Sequence, residues 1–403
     1  MKNKKLLFLA ATLLLGAGSL ASCTGGDDAF LVWAAKEDKE FITKVISNFK
    51  AANPEYADVK IKFTALGEPE VAAQLKTDLK GSADVFHFPG DGLGELVKSN
   101  YLYNIPKSLI EGNGVSDEVL AAGRVDDGQY GIPFTPNTYF LYYDANVYSA
   151  EDVLSLDAML AKDLTDTGYQ YNISFDIGNG WYQQSLFFSN GCTVFGEEGN
   201  DPTKGFEPVE KAVETTKFMY DLLQKTNIKF ADSATVGGDC AAGITGTWYA
   251  EATKERITTK GGTYAAAPLP KLTIGENEVA WKSVGDFKHV GVNSTTDNPE
   301  LASKLAAYIT NVESQKLRFE LRTTAPTNEE LASDTTVEWD ASIVAQTAQL
   351  ENTFAQPTIY DAQGYWNAAG AFNDDIKELG ASADLATITE VFEQFNATIT
   401  KAE

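Results

Sequence analysis

Phe30-Leu31-Val32-Trp33, Val59-Lys60-Ile61-Lys62-Phe63 and Asp84-Val85-Phe86-His87-Phe88 are three short apolar segments in the first quarter of the chain. Between the first two, residues 37–52 place Phe41, Val45, Ile46 and Phe49 at helical spacing, and Pro54 stops that helix. Val59 to Phe63 alternates apolar and polar residues, the pattern of a half-exposed strand. Residues 68–80 form a second helical stretch closed by Gly81, and Leu93 to Lys98 a third. Strand followed by helix in this rhythm predicts an α/β fold built on mainly parallel sheets.

The pattern continues outward. Ile132 to Tyr143 is rich in β-branched and aromatic residues and is interrupted by Pro133 and Pro136; it reads as one strand crossing from one domain into another. Helical spacing returns at 209–225, at 299–312 and at 385–400, the last with Leu385, Ile388, Val391, Phe392, Phe395 and Ile399 on one stripe. A chain of 403 residues is long enough for two or three domains. No Pro/Gly-rich linker divides it, so the chain is expected to cross between domains more than once.

Composition excludes several classes. Hydrophobic residues make up 43% and charged residues 22%, which rules out disorder as the main state. With 57 acidic against 32 basic residues the formal charge is −25, which repels phosphate backbones and anionic headgroups and excludes nucleic acid as an expected partner. Two histidines and three cysteines are too few for a typical zinc cluster. No G-x-S-x-G elbow, H-E-x-x-H, Walker loop or strand-borne G-x-G-x-x-G occurs. His87 and His289 are expected as packing residues, and no carboxylate pair stands out by spacing, so no catalytic residue, metal site or cofactor is expected.

The N-terminus has the layout of a secretory signal: Lys2, Lys4 and Lys5, an apolar run from Leu6 to Leu15, then Gly16, Ala17 and Gly18. The run is shorter than the roughly 20 residues a membrane span needs. Leu20-Ala21-Ser22-Cys23 resembles the bacterial lipobox, which implies a signal over 1–22, lipidation of Cys23 and a tether over 23–29. Export would permit a disulfide between Cys192 and Cys240, the alternative being two separately buried thiols.

Three tryptophans lie beside glycines: Trp181-Tyr182 in Gly178-Asn179-Gly180-Trp181-Tyr182, a loop-like stretch; Trp248 after Ile244-Thr245-Gly246-Thr247; and Tyr365-Trp366 after Asp361-Ala362-Gln363-Gly364. Partly exposed aromatic platforms suit a ligand with flat apolar faces and hydroxyl edges, which is the shape of a sugar. Ordinary core packing is the competing explanation for each.

These segments together resemble the extracellular solute-binding proteins of bacterial ABC importers, of the maltose/maltodextrin-binding type. Leu31-Val32-Trp33 with the 37–52 helix is similar to that family's opening; Ala83 to Phe88 to its third strand; Tyr130 to Phe134 with Leu141 to Asp144 to its first crossing between lobes. Ile244 to Trp248, Val284 to Val292 and Thr324-Ala325-Pro326-Thr327-Asn328 are similar to later family segments, the last two being crossings. The resemblance implies a two-lobed periplasmic-binding-protein fold with three hinge crossings. Residues 30–135 and 289–325 would form the N-terminal lobe, and 136–288 and 326–403 the C-terminal lobe.

It further implies an oligosaccharide cleft lined by Trp181, Tyr182, Trp248, Tyr365 and Trp366, with Phe88 and Asp91 on the opposite lobe. Lys36 and Glu37 follow the first strand, and Asn137 lies at the hinge. The implied partners are an oligosaccharide, maltodextrin first, and the importer's membrane subunits. The implied state is a monomer held to the outer face of the cell membrane through its lipid alone. A different oligosaccharide class, a glycan-adhesion lipoprotein and a surface glycosidase are the alternatives.

Overall fold

Residues 29–231, 235–334, 339–357 and 363–400 are described by the computed structural model of the chain. The leader, Cys23, residues 24–28 and the Asp361-Ala362 pair lie outside them.

The first sheet begins with β1 (Phe30–Ala34), β2 (Ile61–Ala65) and β3 (Val85–Pro89). The Val59 segment therefore enters its strand two residues later than its alternation predicts. A small hairpin, β4 (Arg124–Val125) and β5 (Gly128–Gln129), precedes β6 (Gly131–Asn137). The chain then builds a second sheet from β7 (Phe140–Asp144), β8 (Tyr171–Ser174), β9 (Ile228–Lys229), β10 (Cys240–Thr245) and β11 (Tyr264–Ala267). A second hairpin, β12 (Leu272–Ile274) with β13 (Asn277–Val279), leads into the long β14 (Ser283–Val292), and β15 (Thr353–Ala355) comes last.

Strand order is β15-β14-β3-β1-β2 in the first sheet, with β6 also on β14, and β11-β7-β10-β8-β9 in the second. β1 runs parallel to β2 and β3, and β8 parallel to β9 and β10. The sheets are mixed rather than mainly parallel, because β14 returns antiparallel to β3 and β6, and β7 lies antiparallel to β10 and β11.

Helices pack over both sheets. Lys39–Ala52 buries Phe41, Ile42, Val45 and Phe49 on one stripe, and the Asn53 side chain bonds the Phe49 carbonyl at its end. Pro299–Ile309 lies beside it in the same core, which also holds Val32, Val85, Ile132 and Val290. The second sheet has its own core around Tyr139, Leu141, Ile173, Phe187, Ile244 and Trp281, closed by Gln363–Glu378 and Leu385–Ile399.

The expected single strand over 132–143 is two strands in two sheets. The break falls at Thr138 and Tyr139. The Thr138 hydroxyl bonds that of Ser283 at 2.7 Å, and the Tyr139 ring is held between Trp181 and Tyr182. Side-chain anchoring of these two buried residues overrides the run of strand-forming residues.

Three segments lie side by side where the chain passes between the sheets: β6, β14 and the stretch after Val312–Arg322. The Thr135 hydroxyl donates to the Ala325 carbonyl at 2.6 Å, and that of Thr327 to the Pro133 carbonyl at 3.1 Å. Gln315 Oε1 accepts the Thr327 and Asn328 amides.

Cys192 and Cys240 are free and buried in separate places, so the disulfide alternative falls. Burial pushes their thiols up, to about 12 and about 11, which leaves both unreactive. Among the described residues no helix is long and apolar enough to cross a membrane.

Candidate functional site at the junction of the two sheets

Trp181 stands in the first turn of a helix, Gly180–Ser189, rather than in a loop. Asn179 caps that helix by accepting the Trp181 amide at 3.0 Å, which fixes the indole at the helix entrance. The Tyr139 hydroxyl donates to the Trp181 carbonyl from below. Trp181 stays partly exposed while its neighbour Tyr182 is buried.

Trp248 sits in the short turn Thr247–Tyr249 that follows β10. Its indole folds back over Gly246, where a Cβ would meet the ring at 2.0 Å, so the glycine is what allows this pose. The Trp181 and Trp248 rings lie 5.7 Å apart at 48°. Trp366, also half-buried, enters through the neighbouring helix, where the Tyr365 hydroxyl donates to the Gly180 carbonyl at 3.2 Å.

The opposite wall comes from the first sheet. Strand alternation puts Asp286 and Lys288 of β14 on one side of that strand. Asp286 lies opposite Asn137 in register and packs against Gly90, where a Cβ would meet its Oδ1 at 2.0 Å. Gly90 opens the turn that carries Asp91. Both carboxyls are recessed yet keep some solvent contact. Burial, aided by the charge of Asp91, pushes Asp286 up to about 7, and burial pushes Asp91 up to about 6. Lys288 lies 2.5 Å from the Glu68 carboxylate and 5.8 Å from the centre of the Trp248 ring.

The structure thus brings the Trp181 and Trp248 rings together, sets Trp366 against Gly180 at the head of the Trp181 helix, and places Asp286 between Asn137 and the turn that carries Asp91. Other expected residues stand elsewhere. Phe88 is 1% exposed, stacked on His289 inside the first lobe, because β3 is covered on both faces. It presents no ring to a ligand. Tyr182 and Tyr365 are core residues that support the neighbouring tryptophans. Lys36 and Glu37 are exposed after β1, whereas the buried member of that turn is Asp38.

Asp38, Glu68 and His87 place ligand-capable atoms within 4.8 Å of one another. Asp38 already faces Arg318 at 3.3 Å and Arg322 at 3.4 Å, and Glu68 faces Lys288. A metal would add charge to a group that holds three cations, so these residues fit a buried ion network. Burial pushes the His87 imidazole down to about 4, leaving it neutral within that network. Asp286, Lys288 and Glu68 were not expected from the sequence, since nothing local marks residues that meet across the fold.

A surface hollow of about 490 Å³ lined by Glu210, Glu214, Lys217, Phe218 and Leu385 shares none of the site residues.

Residues 44–347 match the family of bacterial extracellular solute-binding proteins. The chain is 24% identical over 381 residues to the galactooligosaccharide-binding protein of Bacillus subtilis, covering 90% of this chain and 87% of that one. It is 24% identical over 394 residues to a maltooligosaccharide ABC transporter solute-binding lipoprotein of Streptococcus pneumoniae, covering 90% and 88%. A solved structure described as being with acarbose is 30% identical and superposes with a TM-score of 0.83 over 93% of this chain and 99% of that one.

Proposed function

This chain belongs to the bacterial extracellular solute-binding proteins, and we propose that it captures a neutral oligosaccharide of maltodextrin type between its two lobes and delivers it to an ABC importer. The observation that carries the proposal is the Trp181–Trp248 pair, half-open at the junction, with Lys288 of β14 over the Trp248 ring and the Asp286 carboxyl two residues along the same strand. Indole faces suit the C–H side of a pyranose, and carboxyls accept its hydroxyls. The maltooligosaccharide lipoprotein and the structure with acarbose support the same ligand class.

In this account ligand stacks on Trp181, Trp248 and Trp366 of the C-terminal lobe, then gains Asp91 and Asn137 as the lobes close. Lys36 and Glu37 stand where the N-terminal lobe can add a polar contact. Lobe boundaries are placed near residues 135, 288 and 325, at the three adjacent crossings. Only contacts made in the closed form favour closure. Aromatic stacking of roughly 0.5–1.5 kcal/mol per ring and charged hydrogen bonds of about 1.5–3 kcal/mol, less ordering costs, reach about −8 kcal/mol, which is micromolar. That strength permits capture and release. The protein binds without turnover, as a monomer tethered through lipidated Cys23 to the outer face of the cell membrane after removal of residues 1–22.

A galactooligosaccharide is the second reading, favoured by the Bacillus subtilis relative. Calorimetric titration with maltotriose and with a β-1,4-galactotriose separates the two. Tighter binding of maltotriose supports the first; tighter binding of galactotriose replaces it with the second. Smaller products after incubation would overturn the binding-only account.

A further inference from the structure

Lys288 is a cation placed where the two lobes and the crossing strand meet. It stands on β14 at a point where the pairing register with β6 shifts, between Lys288 and His289. Its ammonium bonds Glu68 Oε2 at 2.5 Å and lies 5.8 Å from the centre of the Trp248 ring. Glu68 opens the turn after β2, 220 positions away in the chain, so the pair ties that turn to the crossing strand of the same sheet. Glu68 is 7% exposed and Lys288 18%. The carboxylate is therefore a fixed brace, and the ammonium is the partly open end.

An ammonium has three N–H donors, and the bond to Glu68 uses one. Among the described residues Lys288 donates to no other acceptor. The ammonium stands over the Trp248 ring, 5.8 Å from its centre, so its free donors are within reach of whatever lies on that ring. A pyranose on an indole turns its C–H face to the ring and its hydroxyls outward. Hydroxyl lone pairs at that edge would meet N–H donors held in place. A protonated amino group at the same edge would meet a like charge in a recessed setting, where repulsion is poorly screened.

We propose that Lys288, braced by Glu68, is a ligand-contacting specificity residue: it donates to the hydroxyl edge of the sugar stacked on Trp248 and excludes protonated amino sugars from that subsite. The proposal rests on the oligosaccharide reading above and adds the residue that selects the substituents of one ring. It also gives Glu68 a role as the positioning residue for that ammonium.

The test is calorimetric titration of maltotriose and of an α-1,4-linked glucosamine trimer into the wild type, Lys288→Met and Lys288→Arg, with melting curves as folding controls. The wild type is expected to prefer maltotriose. Lys288→Met should weaken maltotriose binding by more than threefold, about tenfold being expected, and should narrow the preference over the amino trimer by a similar factor. Lys288→Arg should keep maltotriose affinity within threefold and keep the preference, which a merely structural role would not require. If Lys288→Met fails to fold with Glu68 left unpaired, the double variant Glu68→Gln/Lys288→Met removes both charges and carries the maltotriose comparison. A wild type that binds maltotriose and a folded Met variant within threefold of it for both ligands would overturn the proposal. A wild type that binds no neutral oligosaccharide overturns the functional reading itself, and that result comes before any variant is consulted.

Discussion

The rings of Trp181 and Trp248 lie 5.7 Å apart at 48°, one at the entrance of a helix and the other on the turn after a strand. Their backbones are fixed independently, by the Asn179 cap and by the Gly246 fold-back. The pair forms an angled platform that does not depend on the ligand to assemble.

Trp248→Ala, and separately Trp366→Ala, should therefore weaken oligosaccharide binding at least tenfold, about 1.4 kcal/mol, with little loss of fold. Calorimetry with melting controls reads both. Unchanged affinity in both variants would return these rings to a packing role.

Asp286 and Asp91 set a pH dependence. Their folded-state values, about 7 and about 6, stand above the usual carboxyl value of about 4. A carboxyl held high binds its proton more tightly when folded, so its stabilisation is full below the unfolded value and is lost as pH rises through the folded one. The melting temperature should fall between about pH 4 and pH 7, and Asp286→Asn should remove much of that fall. A steeper fall in the Asn variant would show the assignment to be mistaken.

Arg318 tests the buried ion network. Burial alone would raise Asp38, but Arg318, His87 and Arg322 outweigh it and hold the carboxyl below its ordinary value. Removing one partner of a buried pair costs about 3–5 kcal/mol. Arg318→Met should lower the melting temperature by several degrees at neutral pH, and the deficit should shrink as acid protonates Asp38. A deficit independent of pH would point to lost packing on Phe134 instead.

The crossings should respond to loss of their hydroxyl bonds. Thr135→Val leaves the buried Ala325 carbonyl without its 2.6 Å donor, at a cost of about 1–3 kcal/mol. The double variant with Thr327→Val should cost more than either single change. Denaturant unfolding of all three proteins measures it; full stability in the double variant would remove these bonds from the account of the hinge.

Much of the fold was legible because it is written in local period. Phe41, Val45 and Phe49 mark their helix, and the three apolar segments mark β1 to β3. The helix Gly180–Ser189 was missed because it is buried nearly all round, with Gln183, Gln184 and Ser185 inside, so it shows no polar face. Trp181, Trp248 and Trp366 were visible as aromatics beside glycines. Phe88 was assigned to the cleft by resemblance alone, and a matching position does not say whether β3 turns that ring outward; here it is covered against His289. Glu68 and Lys288 were invisible for a different reason: only tertiary structure joins two ordinary charges so far apart in sequence.

The most direct measurement is the melting temperature of residues 24–403 against rising maltotriose. Ligand at 100 times its Kd should stabilise the fold by about 2.7 kcal/mol, a shift of several degrees. The account predicts that shift, saturating at micromolar affinity, and its loss in Trp248→Ala. No shift with maltotriose, galactotriose or any longer neutral oligosaccharide would contradict it.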